Sequence, residues 1–124
     1  MRRVPSSHPF RFSHGAWSSL PGQDLGEKAV LRQLIGGESL NWRLDLAAGA
    51  RLASPGLKCE CMLSVWTGRA QCGLLGNQVD LPAGHFALVP PNVPFTLRAT
   101  GNESCVVVGT LCQPTPHPVL FEPQ

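Results

Sequence analysis

Residues 40–46 alternate strictly: Leu40, Trp42, Leu44 and Leu46 are apolar, and Asn41, Arg43 and Asp45 between them are polar. A period of two belongs to a strand with one buried face and one wet face. A helix would scatter the same four apolar side chains around its circumference. The segment therefore predicts a strand with Trp42 in the core. Arg43 faces the other way, at the surface beside Asp45 or at a pocket edge.

The chain on either side is cut into similar pieces. Residues 28–35 end at Gly36-Gly37, and Ala47-Ala48-Gly49-Ala50 turns the chain after Leu46. Residues 57–66 end at Thr67-Gly68, 69–75 at Gly76-Asn77, and 78–81 at Pro82-Ala83-Gly84. Residues 85–89 end at Pro90-Pro91-Asn92, 94–99 at Gly101-Asn102, and 103–112 before Pro114, Pro116 and Pro118. Short strands spaced about 8–12 residues apart and separated by turn residues define an all-β sandwich or barrel. No segment carries a helical period, and no internal repeat is present.

The 124 residues suit a single domain. Charged residues are only 15% of the chain, against about 25% in an ordinary globular domain. A net charge of +2 is too weak for a nucleic-acid or membrane footprint, so neither partner is expected. Met1-Arg2-Arg3 is followed by no apolar run of the kind a secretory signal needs, and no stretch is long enough for a transmembrane helix. The five cysteines (Cys59, Cys61, Cys72, Cys105, Cys112) are odd in number and widely spread, unlike a disulfide framework. The expectation is a cytoplasmic protein with reduced thiols. His8, His14, His85 and His117 read as surface residues, and no nucleophile elbow, phosphate loop or dinucleotide fingerprint appears.

Two turns carry a resemblance. Gly84, Pro90, Asn92, Phe95 and Ala99 stand at the spacing Gly, five residues, Pro, one, Gly, two, His, three, Asn. This resembles the second motif of the cupin superfamily, with Asn92 at the second Gly, Phe95 at the metal-binding His and Ala99 at the Asn. Asn tolerates the left-handed backbone that such a turn needs. In the first cupin motif, Gly68 takes the closing Gly, which puts Cys61 at the Glu ligand. The two His positions then fall at Pro55 and Leu57, or one residue earlier. The resemblance spans roughly residues 38–112. It implies a cupin-like double-stranded β-helix, or jelly roll, over residues 27–113. Residues 1–26 are expected to form an N-terminal arm able to cross to a partner subunit, and 114–124 a Pro-rich tail.

The resemblance also implies what is missing. Metal cupins hold a divalent transition metal with three imidazoles and a carboxylate, a donor set suited to Fe, Mn, Ni, Cu or Zn. None of the four expected ligands stands here, so no metal and no cofactor is expected. The barrel interior would be lined by Leu57, Cys59, Cys61, Leu63, Phe95 and Leu97. Period two puts Cys59 and Cys61 on this inward face, as small hydrophobes or, less simply, as thiolates for a soft metal. Met62 and Trp66 fall on the outward face and predict an exposed apolar patch, which suits a homodimer interface. The middle of the chain is also similar to the effector-binding cupins of AraC-type regulators. The leading expectation is a metal-free cupin that binds a small molecule or serves as a sensing module. A divergent metal-dependent isomerase, lyase or oxygenase using Cys61 is one alternative. A structural or interaction domain with a plugged barrel is the other.

Overall fold

The computed structural model describes residues 14–26, 28–36, 38–112 and 119–122. His8 and His117 therefore lie outside the described residues. Among these residues a 3-10 turn at Trp17–Ser19 precedes ten strands: β1 (Gln23–Asp24), β2 (Ala29–Ile35), β3 (Ser39–Leu46), β4 (Arg51–Ser54) and β5 (Cys61–Thr67), then β6 (Arg69–Leu74), β7 (Asn77–Pro82), β8 (Phe86–Val89), β9 (Phe95–Ala99) and β10 (Cys105–Cys112). They form two antiparallel sheets, ordered β1-β2-β3-β10-β5-β8 and β4-β9-β6-β7. No helix among the described residues is long and apolar enough to cross a membrane.

The alternation of residues 40–46 holds without a break. Leu40, Trp42, Leu44 and Leu46 are buried and their neighbours are half-buried. β10 pairs with β3 along its whole length and carries Cys105, Val107 and Leu111 inward. β5 contributes Cys61, Leu63 and Val65, and β9 contributes Phe95, Leu97 and Ala99. These side chains meet between the sheets as one apolar core. On the outer face Arg43 bonds Asp45 at 3.0 and 3.2 Å, and Arg32 reaches the same carboxylate at 3.5 Å. Arg43 thus lies at the surface, paired along its own strand.

The turn residues behave as their spacing requires. Gly68 has φ +79°, and a Cβ there would sit 2.5 Å from the Ser104 carbonyl oxygen, so only glycine closes this corner. Asn92 takes φ +64°, the left-handed backbone expected of it, and its N–H donates to the Leu57 carbonyl at 2.6 Å. That bond ties the loop after β8 to the segment before β5, which are the two motif regions of the sequence.

Three features differ from expectation. β4 is a strand, whereas the sequence analysis assigns residues 51–54 to no segment; four residues are too few to show a period. β5 begins at Cys61 rather than at Leu57, because residues 58–60 form a bend and an irregular link. And the C-terminal segment is not a detached tail. Glu122 bridges to Ala53 on β4, its N–H donating to the Ala53 carbonyl at 2.8 Å, while Leu120 and Phe121 are buried in the core.

Candidate functional site

The inward faces of β3, β5 and β9 converge on one volume between the sheets. Trp42 extends from β3 across its cross-strand partner Gly109, so closely that a Cβ on Gly109 would overlap the indole ring. The glycine thus makes room for the largest side chain in the core. Phe121 enters from the chain terminus and packs edge-on against both Trp42 and Phe95. The ring centroids are 5.2 and 5.9 Å apart and the planes stand at 79° and 80°. Edge-to-face contacts of this kind add about 0.5–1.5 kcal/mol each beyond the area they bury.

Of the six residues expected to line the interior, Leu57, Cys61, Leu63, Phe95 and Leu97 are buried in the core, all at most 5% exposed. They pack there with the protein's own side chains. Cys59 is the exception. It sits in the bend before β5, half-exposed, and its thiol donates to the Cys112 carbonyl at 2.9 Å. The alternation that would have turned it inward starts only two residues later. Cys59 therefore lies outside the buried core that encloses Cys61.

The metal positions can be tested against the residues present. Leu57 and Phe95 have no donor atom. Pro55 is exposed and carries none either. One residue earlier stand Ser54 and Gly56, and the Ser54 hydroxyl already accepts the Gly56 N–H at 3.4 Å. Cys61 is the one soft donor, and burial pushes its thiol up to about 12 from an ordinary 9.0, with a smaller opposing pull from Trp42. A protonated thiol is a poor ligand. The residues do not fit the metal that the fold often carries, and no cluster of three metal-ligating side chains exists among the described residues.

Burial likewise raises Cys72 and Cys105, each to about 11. Two consequences are measurable. Iodoacetamide at pH 8 should label Cys59 and Cys112 in the native protein, with Cys61, Cys72 and Cys105 reacting only on unfolding. Because these three thiols hold their protons more tightly folded than unfolded, stability should fall as pH rises above 9.0. A denaturation series between pH 8 and pH 11 reads that slope.

One buried polar atom is poorly matched. The Trp42 indole N–H is enclosed, and among the described residues none meets it with full hydrogen-bond geometry. The Cys61 sulfur beside it accepts a weak side-chain hydrogen bond. A fully unpaired buried donor would cost about 1–3 kcal/mol, and the sulfur contact offsets part of that. Sequence reasoning placed Trp42 in the core but found neither its weakly partnered donor nor Phe121. Nothing in residues 119–122 has a period, and their neighbours are prolines.

Outside the core, a cleft of about 420 Å³ opens at one end of the barrel between Leu25, Lys28, Gly49 and Arg51. It is shallow and does not reach the Trp42 region. The outer face of β5 and β8 carries Met62, Trp66, Phe86 and Leu88. Met62 stands directly opposite Leu88, and Trp66 is 51% and Phe86 65% exposed. The sequence identified Met62 and Trp66. It missed Phe86 and Leu88, because β8 is too short for its faces to be assigned.

The architecture is that of a cupin. The chain superposes on an RmlC-like cupin from Shewanella frigidimarina with a TM-score of 0.70 at 20% identity, covering 86% of this chain and 92% of that one. It matches the polyketide cyclase RemF from Streptomyces resistomycificus with a TM-score of 0.72 at 12% identity, over 90% and 85% of the two chains. A Cupin_2 domain from an XRE family transcriptional regulator of Enterobacter cloacae gives 0.65 at 15% identity, over 72% and 100%. At such identities the likeness carries the fold and nothing finer. No family profile and no curated protein matches the sequence.

Proposed function

We propose that this chain is a metal-free cupin module that acts by binding rather than by catalysis, as a sensing or regulatory domain. The observation that carries the reading is the filling of the cupin metal positions by Leu57, Cys61 and Phe95, all buried in one apolar core. Cupin domains of this shape occur both in an enzyme such as RemF and in a transcriptional regulator of the XRE family. The lack of donor side chains at Leu57 and Phe95 supports the regulatory use for this chain. Metal content by elemental analysis tests it. Protein purified without chelator should carry far less than one equivalent of any transition metal. A near-stoichiometric metal that is lost in Cys61→Ala would overturn the reading in favour of a divergent enzyme.

The module pairs with a second copy of itself through the outer face of β5 and β8. Met62, Trp66, Phe86 and Leu88 make an apolar surface at the free edge of the six-stranded sheet. A two-fold contact uses the same patch on both subunits, so an uncharged apolar patch is matched by its own copy without any complementary charge. Sedimentation should find a dimer for the unmodified chain, and a monomer for Trp66→Glu or Phe86→Glu with little loss of stability, since both side chains are exposed. A monomeric unmodified protein at high micromolar concentration would contradict this.

A further inference from the structure

The two cysteines that stand outside the core meet each other. β10 and β5 pair as far as Leu111 opposite Cys61. Cys112 is the next residue on β10 and Cys59 lies two residues before Cys61, so both leave the ladder at the same end. On β10 the alternation buries Leu111 and leaves Cys112 exposed. Before β5 the chain bends at residues 58–60, and the bend that takes Cys59 off the inward face brings its thiol to the Cys112 carbonyl at 2.9 Å. A residue's carbonyl oxygen lies about 3 Å from its own Cβ, so the Cys59 sulfur stands within about 6 Å of the Cys112 Cβ. In a disulfide that separation is about 3 Å. Rotation of the Cys112 side chain and a small shift of the bend cover the difference, because an irregular link and a strand end move more cheaply than a central strand. Cys61, Cys72 and Cys105 are buried and hold their protons, which makes them poor nucleophiles. Of the five thiols, Cys59 and Cys112 are thus the two that are both accessible and adjacent.

We infer that Cys59 and Cys112 are a thiol modification site, which a low-molecular-weight disulfide converts to an intramolecular disulfide that clamps the start of β5 to the end of β10. One thiolate of the pair attacks a sulfur of the small disulfide, forming a mixed disulfide and expelling one small thiolate. The other attacks the protein sulfur of that mixed disulfide, forming the Cys59–Cys112 bond and expelling the second small thiolate. The two cysteines lose two electrons and two protons, and the small disulfide gains them as two thiols. The joined residues are 53 positions apart, so the bond closes a long loop and stabilises the fold chiefly by restricting the unfolded chain. The site lies outside the barrel interior and is independent of the metal-free reading above.

The test uses the full chain equilibrated with oxidised and reduced glutathione. Oxidised glutathione should remove two of the five thiols from iodoacetamide labelling, and peptide mapping should recover Cys59 and Cys112 joined within one chain. Ring closure should outweigh a lasting glutathione adduct by at least about tenfold, since the second thiol is held beside the first. Cys59→Ser and Cys112→Ser change solvent-accessible side chains, so both should melt with the reduced unmodified chain and each should carry one glutathione instead of the bond. The oxidised chain should melt at least about 5 °C above the reduced one. Dithiothreitol should reverse that rise, and neither serine variant should show it. Bonds between two chains, a bond to a buried cysteine, or lasting glutathione adducts on the unmodified protein would each overturn the pairing. So would five free thiols in the most oxidising mixture. A Cys59–Cys112 bond that lowers the melting temperature would show that closure breaks the native geometry, and would overturn the site as one the fold has prepared.

Discussion

Replacing Gly109 by alanine should cost about 3 kcal/mol and lower the melting temperature by roughly 10 °C. Gly109 lies midway along β10, paired with Trp42 on β3 and Leu63 on β5, so its backbone cannot shift without disturbing two ladders. The new Cβ would meet the Trp42 ring directly. The ring has nowhere to go, because Phe121 abuts it on the interior side. Packed interiors transmit such strain instead of absorbing it. If steric overlap with Trp42 is the cause, the cost should shrink to about 1 kcal/mol when measured in a Trp42→Phe background, which removes the colliding part of the indole. Denaturant unfolding of the four proteins in that cycle gives both numbers.

Phe121→Ala should cost nearly as much, about 3 kcal/mol, at the lower end of the range for a buried phenylalanine because a segment outside the regular strands relaxes more easily than a strand. The loss has two parts. Burial of the ring supplies about 1.5–3 kcal/mol, and the edge-on contacts with Trp42 and Phe95 supply the remainder. Phe121→Leu should lose roughly half as much, since it keeps the burial and gives up the aromatic geometry. A surface tail would show neither effect. Thermal unfolding of the two variants beside the unmodified chain is sufficient to decide.

The fold was legible in the sequence because its physics is local. Alternation over residues 40–46 needs only one wet face and one dry face. Gly68 needs only a left-handed corner too crowded for a Cβ, and Asn92 only the next best residue for the same backbone. These signals repeat at a spacing that a jelly roll imposes. The site was legible only where it sits on such strands: Cys61, Leu63, Phe95 and Leu97 face inward because their strands alternate. Cys59 failed as an interior residue because the chain bends at residues 58–60, where period two does not apply. Phe121 was invisible for a different reason. Its burial depends on contacts with β3 and β9, many residues earlier in the chain, and a lone aromatic among prolines carries no pattern that announces them. The weak partnering of the Trp42 N–H is further still from sequence, because it is defined by how the neighbours pack.

The account rests on one claim, that the barrel interior is filled by its own side chains with Phe121 among them. The most direct measurement is the set of through-space proton contacts of the Phe121 ring in the full chain in solution. Cross-peaks from Phe121 to the rings of both Trp42 and Phe95, with no exchange between bulk water and the Trp42 indole proton on the same timescale, are the expected result. A Phe121 ring without those contacts, together with a Trp42 indole proton that exchanges freely with water, would show an open, hydrated barrel and contradict the claim.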